Sequence, residues 1–315
     1  MSSEIHPDDR FHPAPDDDPY WTETCWFTFS VPERRLSGQI YPFLRPNQRV
    51  TTLGVFVWDE TGSQLFDCRY AKSLVHVPLP VDADLSDLSL DGGLRIRCLE
   101  SLTRYAVSYL DADEGQLEIA LEFEAIAPPN RLGESHLDQP GRYSGTLRLD
   151  GESISVDAYG FRDRSWGRRS QIGATINDSG AARGGYSYGT ASERDAFHAI
   201  TMAFANDEAI PIHGYLIRDG EYAKLVPGRG RRTVLERATG DAPTRVRIEA
   251  EDELGRSLVA EGRCLNKIGL HLNPNLFTWN CLTEWSWGDG IEAYGEDHDN
   301  WSAAAATRFF RSMKV

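Results

Sequence analysis

No stretch of the 315-residue sequence approaches the ~18 consecutive apolar residues that a membrane helix needs, so a helical bilayer span is not expected. Its opening, MSSEIHPDDRFHPAPDDDP, has no basic end followed by an apolar run. It reads as neither a secretory signal nor an Arg-rich transit peptide, and the expected location is the cytoplasm. Cysteine is scarce: Cys25, Cys68, Cys98, Cys264 and Cys281 are odd in number and never closer than 17 residues, which fits buried thiols better than disulfides or a zinc knuckle. Positive charge is also in deficit, with 33 Lys and Arg against 48 Asp and Glu and a net charge of -15. That balance argues against nucleic acid and anionic lipid as partners, and the short tract Arg229-Gly230-Arg231-Arg232 reads as a solvated turn.

Several chemistries lack their sequence marks. There is no GxSxG elbow, no GxxxxGK[ST] phosphate loop, no GxGxxG opening a helix after a strand, and no HExxH. Neither a metal nor a cofactor is expected. Asp297-His298-Asp299 brings three ligand types together, but neighbours on a strand point to opposite faces and cannot all reach one ion.

What is present is a soluble composition, 40% hydrophobic and 26% charged, with a mean hydropathy of -0.45. The length predicts two medium domains, 1–180 and 181–315, with the boundary placed where Gly173, Gly180, Gly184, Gly185 and Gly189 cluster. One continuous sheet with a Gly-rich loop is the alternative. Residues 1–19, with Pro13, Pro15, Pro19 and Asp16-Asp17-Asp18, read as an extended arm. After it, β-branched and aromatic runs recur between turn signals, among them Trp26 to Val31, Leu36 to Tyr41, Thr51 to Trp58, Leu65 to Tyr70, Leu94 to Leu99 and Leu117 to Ile126. In the last of these, Leu117, Ile119, Leu121 and Phe123 share one face and Glu118, Glu122 and Glu124 the other. A second set runs from Ile212 to Cys264, and the few helices expected are Leu85 to Leu90 and a tail from Ser302.

The segment Tyr159-Gly160-Phe161-Arg162-Asp163-Arg164-Ser165-Trp166-Gly167-Arg168-Arg169 is too polar for ordinary core and too aromatic for ordinary loop. On a strand, Phe161, Asp163 and Ser165 face one way and Arg162, Arg164 and Trp166 the other, which aims Asp163 away from its neighbouring cations. Burial would then keep its carboxyl protonated into the range where it can donate or accept a proton, with Trp166 as an apolar wall. An interior ion pair is the plain alternative. Trp279, Cys281, Thr283, Trp285 and Trp287 share one face of a strand that turns at Asp289-Gly290, and these indoles must meet either the core or a ligand. Tyr20-Trp21-Thr22-Glu23-Thr24-Cys25-Trp26 sets aromatics beside a glutamate.

Gly160-Phe161-Arg162-Asp163-Arg164-Ser165-Trp166-Gly167 resembles the RDHSWG-type signature of the hydroxyneurosporene synthase (carotenoid 1,2-hydratase) and AttH-like superfamily. Asp18-Pro19-Tyr20-Trp21-Thr22-Glu23, Val31-Pro32-Glu33, Arg45-Pro46-Asn47 and Tyr294 to Trp301 are similar to a bacterial branch of it, so the resemblance runs from Asp18 to Trp301. It implies an all-β protein of two lipocalin-like antiparallel β-barrel or curved-sheet domains packed together, with an apolar pocket. Characterised members act without redox cofactor or nucleotide on bulky apolar molecules, by hydration, cyclisation, isomerisation or pericyclic ring formation. By this resemblance Asp163 is the acid/base candidate, with Arg162 and Trp166 shaping the pocket. Arg164 stands where the family usually has histidine, which argues against copying the hydratase reaction outright.

Together these readings predict a lyase, hydratase or isomerase for a hydrophobic isoprenoid, steroid or lignin-type aromatic compound. Asp163 carries the proton, and Glu23, Glu284 and Glu296 are possible substitutes. Tyr20, Trp21, Trp26, Trp166, Trp279, Trp285 and His271 are the expected substrate contacts beside Arg162. A non-catalytic carrier of the same ligands is the rival, an interaction module with an exposed tryptophan face is a third reading, and a homodimer is compatible with either.

Overall fold

A computed structural model describes residues 4–169, 174–176, 179–204, 208–238, 242–288 and 290–313. The chain forms two compact units, one of Met1–Val57 with Arg69–Arg169, the other of Trp58–Cys68 with Ser170–Val315. Each is built on its own curved antiparallel sheet, which is the all-β class that the alternating runs and hairpin signals predict.

The first sheet has eleven strands: β1 (Trp21–Val31), β2 (Leu36–Arg45), β3 (Val50–Trp58), β4 (Tyr70–Pro78), β5 (Asp87–Ser89), β6 (Leu94–Glu100), β7 (Arg104–Leu110), β8 (Leu117–Ala125), β9 (Asn130–Arg131), β10 (His136–Leu149) and β11 (Glu152–Arg168). Their order is β4-β3-β2-β1-β11-β10-β8-β7-β6-β5, with β9 on β10, so this sheet curls but stays open. Strict alternation decides its two faces. Phe27, Phe29, Ile40, Leu44, Tyr143, Leu147, Ile154 and Val156 fill one core on the concave side. The proline turns Pro32–Arg34 and Pro46–Gln48 end with Arg35 and Arg49 at φ of 50° and 55°, reversing the chain between β1, β2 and β3. At Gly145, φ is 143° and an added Cβ would collide with the carbonyl of Ala120, so the close β8–β10 approach needs glycine there.

The second sheet comprises β12 (Arg183–Ser192), β13 (Asp195–Ala203), β14 (Ile210–Arg218), β15 (Glu221–Arg237), β16 (Pro243–Asp252), β17 (Ser257–Cys264), β18 (Ile268–Asn273), β19 (Leu276–Trp287) and β20 (Ile291–Ser302). A β17–β19 pairing closes eight of these strands into a barrel, which removes its open edges. Phe197, Trp285 and Trp287 pack edge to face inside it, with ring centroids 5.1 and 5.2 Å from Phe197 to the two indoles. Deeper in, Arg232 donates to Asp297 at 2.5 Å and to Asp299 at 3.1 Å, and all three are buried. Helix α1 (Ala303–Ser312) begins where Ser302 Oγ accepts from the Ala305 N–H at 3.3 Å, and lays Phe309 and Phe310 against Trp301. The segment Trp58–Cys68 belongs to this unit: Trp58 Nε1 donates to Asn266 at 3.0 Å, and Ser63 accepts from the Gly269 N–H at 2.9 Å.

Three local expectations fail. Arg229-Gly230-Arg231-Arg232 is not a solvated turn: it lies within β15, and Arg232 is buried against Asp297 and Asp299. Leu85 to Leu90 is not helical; Leu85 and Leu88 have a helix-like spacing, but the turn at Asp91-Gly92-Gly93 returns the chain so that β5 pairs with β6. Leu65 to Cys68 is a turn rather than a strand, because Asp67 accepts the N–H groups of Ser63 and Gln64, both at 2.7 Å, and this competes with sheet pairing. The strand there starts only at Tyr70. Gly173 and Asp289, counted among the turn signals, lie outside the described residues.

Candidate functional site

The signature segment is the C-terminal half of β11, flanked by β10 and β1. Its even-numbered residues continue the face carrying Ile154 and Val156 and look into the core of the first unit. Asp163 therefore points to the opposite face, as alternation requires. There it stands directly across from Asp138 on β10 and Trp26 on β1, while Ser165 stands across from His136. His136 Nδ1 lies 2.8 Å from Ser165 Oγ, and its Nε2 lies 3.0 Å from Asp138 Oδ1. Trp26, Tyr41 and Phe161 border these polar groups, with both other rings 6.4 Å from the Trp26 indole. Phe43 follows at 4.4 Å from Tyr41.

The electrostatics of this cluster are unusual. Asp163 is only 7% exposed, and its Oδ1 is buried with no hydrogen-bond partner. Desolvation pushes its carboxyl up to about 6; Asp138 adds to the rise, and His136, Arg169 and Arg164 oppose it. Burial works against a charged His136, but the Asp138 charge and hydrogen bond outweigh it and hold the imidazole above its ordinary value. Burial and then the Asp163 charge lift the Tyr41 phenol to about 12, so it stays a neutral donor. His136, Asp138 and Asp163 also offer three ligand atoms within 4.8 Å of one another. A cation bridging them would have to take His136 Nε2 from Asp138 or Nδ1 from Ser165.

The other residues singled out from the sequence are dispersed. Arg162, Arg164, Glu23 and Trp166 are on the core side: Arg162 donates to Gln139 and Tyr105, both at 2.8 Å, Arg164 donates to Glu23 at 2.8 Å, and Trp166 stacks on His12 at 3.7 Å. Trp21 begins β1 and Tyr20 precedes it, toward the Arg168 end of β11. In the second unit, Trp285 fills the barrel, Trp279 packs near Trp301 and α1, and His271 is exposed beside Phe277. Glu284 pairs with Arg263 at 2.6 Å in a partly exposed bridge, and Glu296 is bonded to His298 at 2.8 Å. Of the residues proposed from sequence, the structure thus brings Asp163 and Trp26 together. Ser165 joins them on the face that alternation gave it, and the structure adds His136 and Asp138 from β10 and Tyr41 from β2, which only the strand register brings to this place.

A second aromatic and imidazole cluster lies on the barrel's outer face, where Tyr186 is 4.6 Å from His198 and 5.6 Å from His298, and His198 is 5.9 Å from His213. All three histidines are buried.

A closed antiparallel barrel and a curled open sheet on one chain define the lipocalin-like AttH type of fold. Within that fold class, the chain belongs to the family described as a domain of unknown function (DUF7064), whose model matches residues 6–301. Among solved structures it is similar to an AttH candidate from Nitrosomonas europaea, with a TM-score of 0.66 and 14% identity over 95% of this chain and 97% of that one. Kievitone hydratase from Nectria haematococca aligns at a TM-score of 0.60 and 10% identity, over 90% of each chain. CghA follows at 0.57 and 12%, covering 90% of this chain and 88% of that one. At such identities the likeness is one of fold. No curated protein sequence matches the chain significantly, and among the described residues no helix is long and apolar enough to cross a membrane.

Proposed function

We propose that the protein is an acid/base enzyme, a hydratase, lyase or isomerase, acting on a bulky hydrophobic small molecule of the isoprenoid, steroid or aromatic kind. The observation that carries this is Asp163: a buried carboxyl with one unpartnered oxygen, titrating near 6, beside a His136–Asp138 pair. That oxygen has no hydrogen bond to give up when a substrate atom reaches it. A carboxyl raised to about 6 beside an imidazole held above its ordinary value sets two groups in one buried place that can each give up or take a proton. Asp163 protonates the substrate, and the His136–Asp138 pair accepts or returns the proton of water. Trp26, Tyr41 and Phe161 supply an apolar wall beside the carboxyl, where proton transfer and charge stabilisation are stronger than in water. The fold shared with a protein named as a hydratase supports the reaction class, and the signature's likeness to carotenoid hydratases supports an isoprenoid among the substrates. The arginine at position 164 separates this chain from a literal copy of that reaction, and its side chain does not face Asp163.

The test is to incubate wild type and Asp163→Asn with mixed isoprenoid, steroid and lignin-type aromatic compounds and to profile what is consumed. Consumption by wild type, reduced roughly 10²-fold or more in Asp163→Asn, is the expected result. Equal turnover by both chains refutes the role of Asp163, and a compound retained unchanged by both identifies a carrier.

A further inference from the structure

The arm preceding β1 lies against the inside of the first unit in the manner of a bound ligand. Pro7–Asp9 forms one 3₁₀ turn, and Asp8 and Asp9 are buried although both are acidic. Asp9 accepts from the Tyr105 hydroxyl at 2.5 Å, the Leu102 N–H at 3.0 Å and the Cys98 thiol at 3.7 Å. Asp8 pairs with Arg131, and Phe11 packs on the apolar core. Arg164 donates to the main-chain carbonyls of Asp8 at 3.3 Å and Arg10 at 3.0 Å. No strand ladder holds residues 4–12, so this segment can leave without breaking the sheet.

Arg162 supplies the reason for these carboxylates. Arg162 is 2% exposed, and among the described residues its hydrogen-bond partners are the neutral Gln139 and Tyr105, with the Tyr105 ring 4.0 Å beneath its guanidinium. The anion that balances it is Asp9, one hydroxyl away through Tyr105. A buried cation is costly without such a counter-charge.

We propose that this inner end of the first unit is a carboxylate-binding site, occupied in cis by the arm, and that its external ligand is an organic acid joining a carboxylate to an apolar or aromatic body. The arm imitates that ligand with the Asp9 carboxylate and the Phe11 ring. The site lies on the face of β11 opposite Asp163, so it stands or falls independently of the acid/base reading.

Chemical rescue in the full chain tests it. Asp9→Ala should lower the thermal midpoint, and 3-phenylpropionate should restore it with at least about tenfold higher affinity than the neutral 3-phenylpropanamide, the ratio expected for one charge-assisted hydrogen bond. Wild type, with its cis carboxylate in place, should respond far less. Adding Arg162→Gln to Asp9→Ala should abolish the preference for the acid. If Asp9→Ala does not fold alone, the folded fraction recovered on refolding it with 3-phenylpropionate against the amide carries the same comparison. Equal response to acid and amide in the folded variant, or an undiminished preference without Arg162, overturns the proposal.

Discussion

Asp163→Asn should stabilise the protein at alkaline pH while it removes activity. The carboxyl is raised from an ordinary 3.8 to about 6 because its charged form is buried. A group whose folded value lies above its unfolded value favours folding below the unfolded value, and that advantage disappears as pH rises through the folded one. For Asp163 the window therefore runs from 3.8 to about 6. Two units at 1.36 kcal/mol each amount to about 3 kcal/mol of stability lost between about pH 4 and pH 7. Asparagine keeps the shape and carries no charge at any pH. The variant should match wild type near pH 4 and exceed it by up to about 3 kcal/mol at pH 8, roughly 6–12 °C in the midpoint of a unit this size. His136, also raised, contributes a loss of the same sign in both chains, and because the Asp163 charge adds to that rise, the difference between the chains reads Asp163 together with its coupling to His136. Thermal or urea unfolding of both chains across this range is the assay. Parallel curves would show that Asp163 is not buried as a strained carboxylate, and would remove the electrostatic basis for its role.

Turnover of any substrate found for the wild type should fall as pH rises through about 6 if Asp163 is the proton donor, and a rate unchanged across that value refutes the assignment. Arg232→Met should destabilise the barrel by about 3–5 kcal/mol in equilibrium unfolding, because Asp297 and Asp299 lose their buried partner. A cost below about 1 kcal/mol would mean that the carboxylates find other donors. Gly145→Ala should cost more than about 1 kcal/mol through its left-handed backbone and the collision with Ala120, read by the same unfolding measurement, and a neutral result would show that β8 and β10 can separate there.

Much of the fold was legible because alternation is local. The Leu117–Phe123 pattern and the hairpin turns give the strands, and the same alternation at 161–166 correctly separates Asp163 from Arg162 and Arg164. The partners of Asp163 were not legible. His136 and Asp138 sit 27 and 25 residues upstream, and only the β10–β11 register sets them opposite Ser165 and Asp163. Asp297-His298-Asp299 shows the same limit from the other side: adjacency in sequence suggests a cluster, yet the aspartates turn inward to Arg232 and the histidine outward to Tyr186. The tryptophan face of β19 stayed open in the sequence for a related reason. An indole on a strand face looks alike whether that face meets core or ligand, and Trp285 meets Phe197.

The excursion of Trp58–Cys68 into the second unit bears on how the chain is made. A ribosome delivers this segment some 200 residues before Asn266, the acceptor for the Trp58 indole. The first unit can complete its sheet during synthesis, while a large aromatic side chain waits in solvent for a barrel that does not yet exist. The connection at Asn266 and strand β18 thus take a partner translated long before them. Cutting the gene after Arg169 would leave the second unit without Trp58–Cys68, and with it the partners of Asn266 and Gly269.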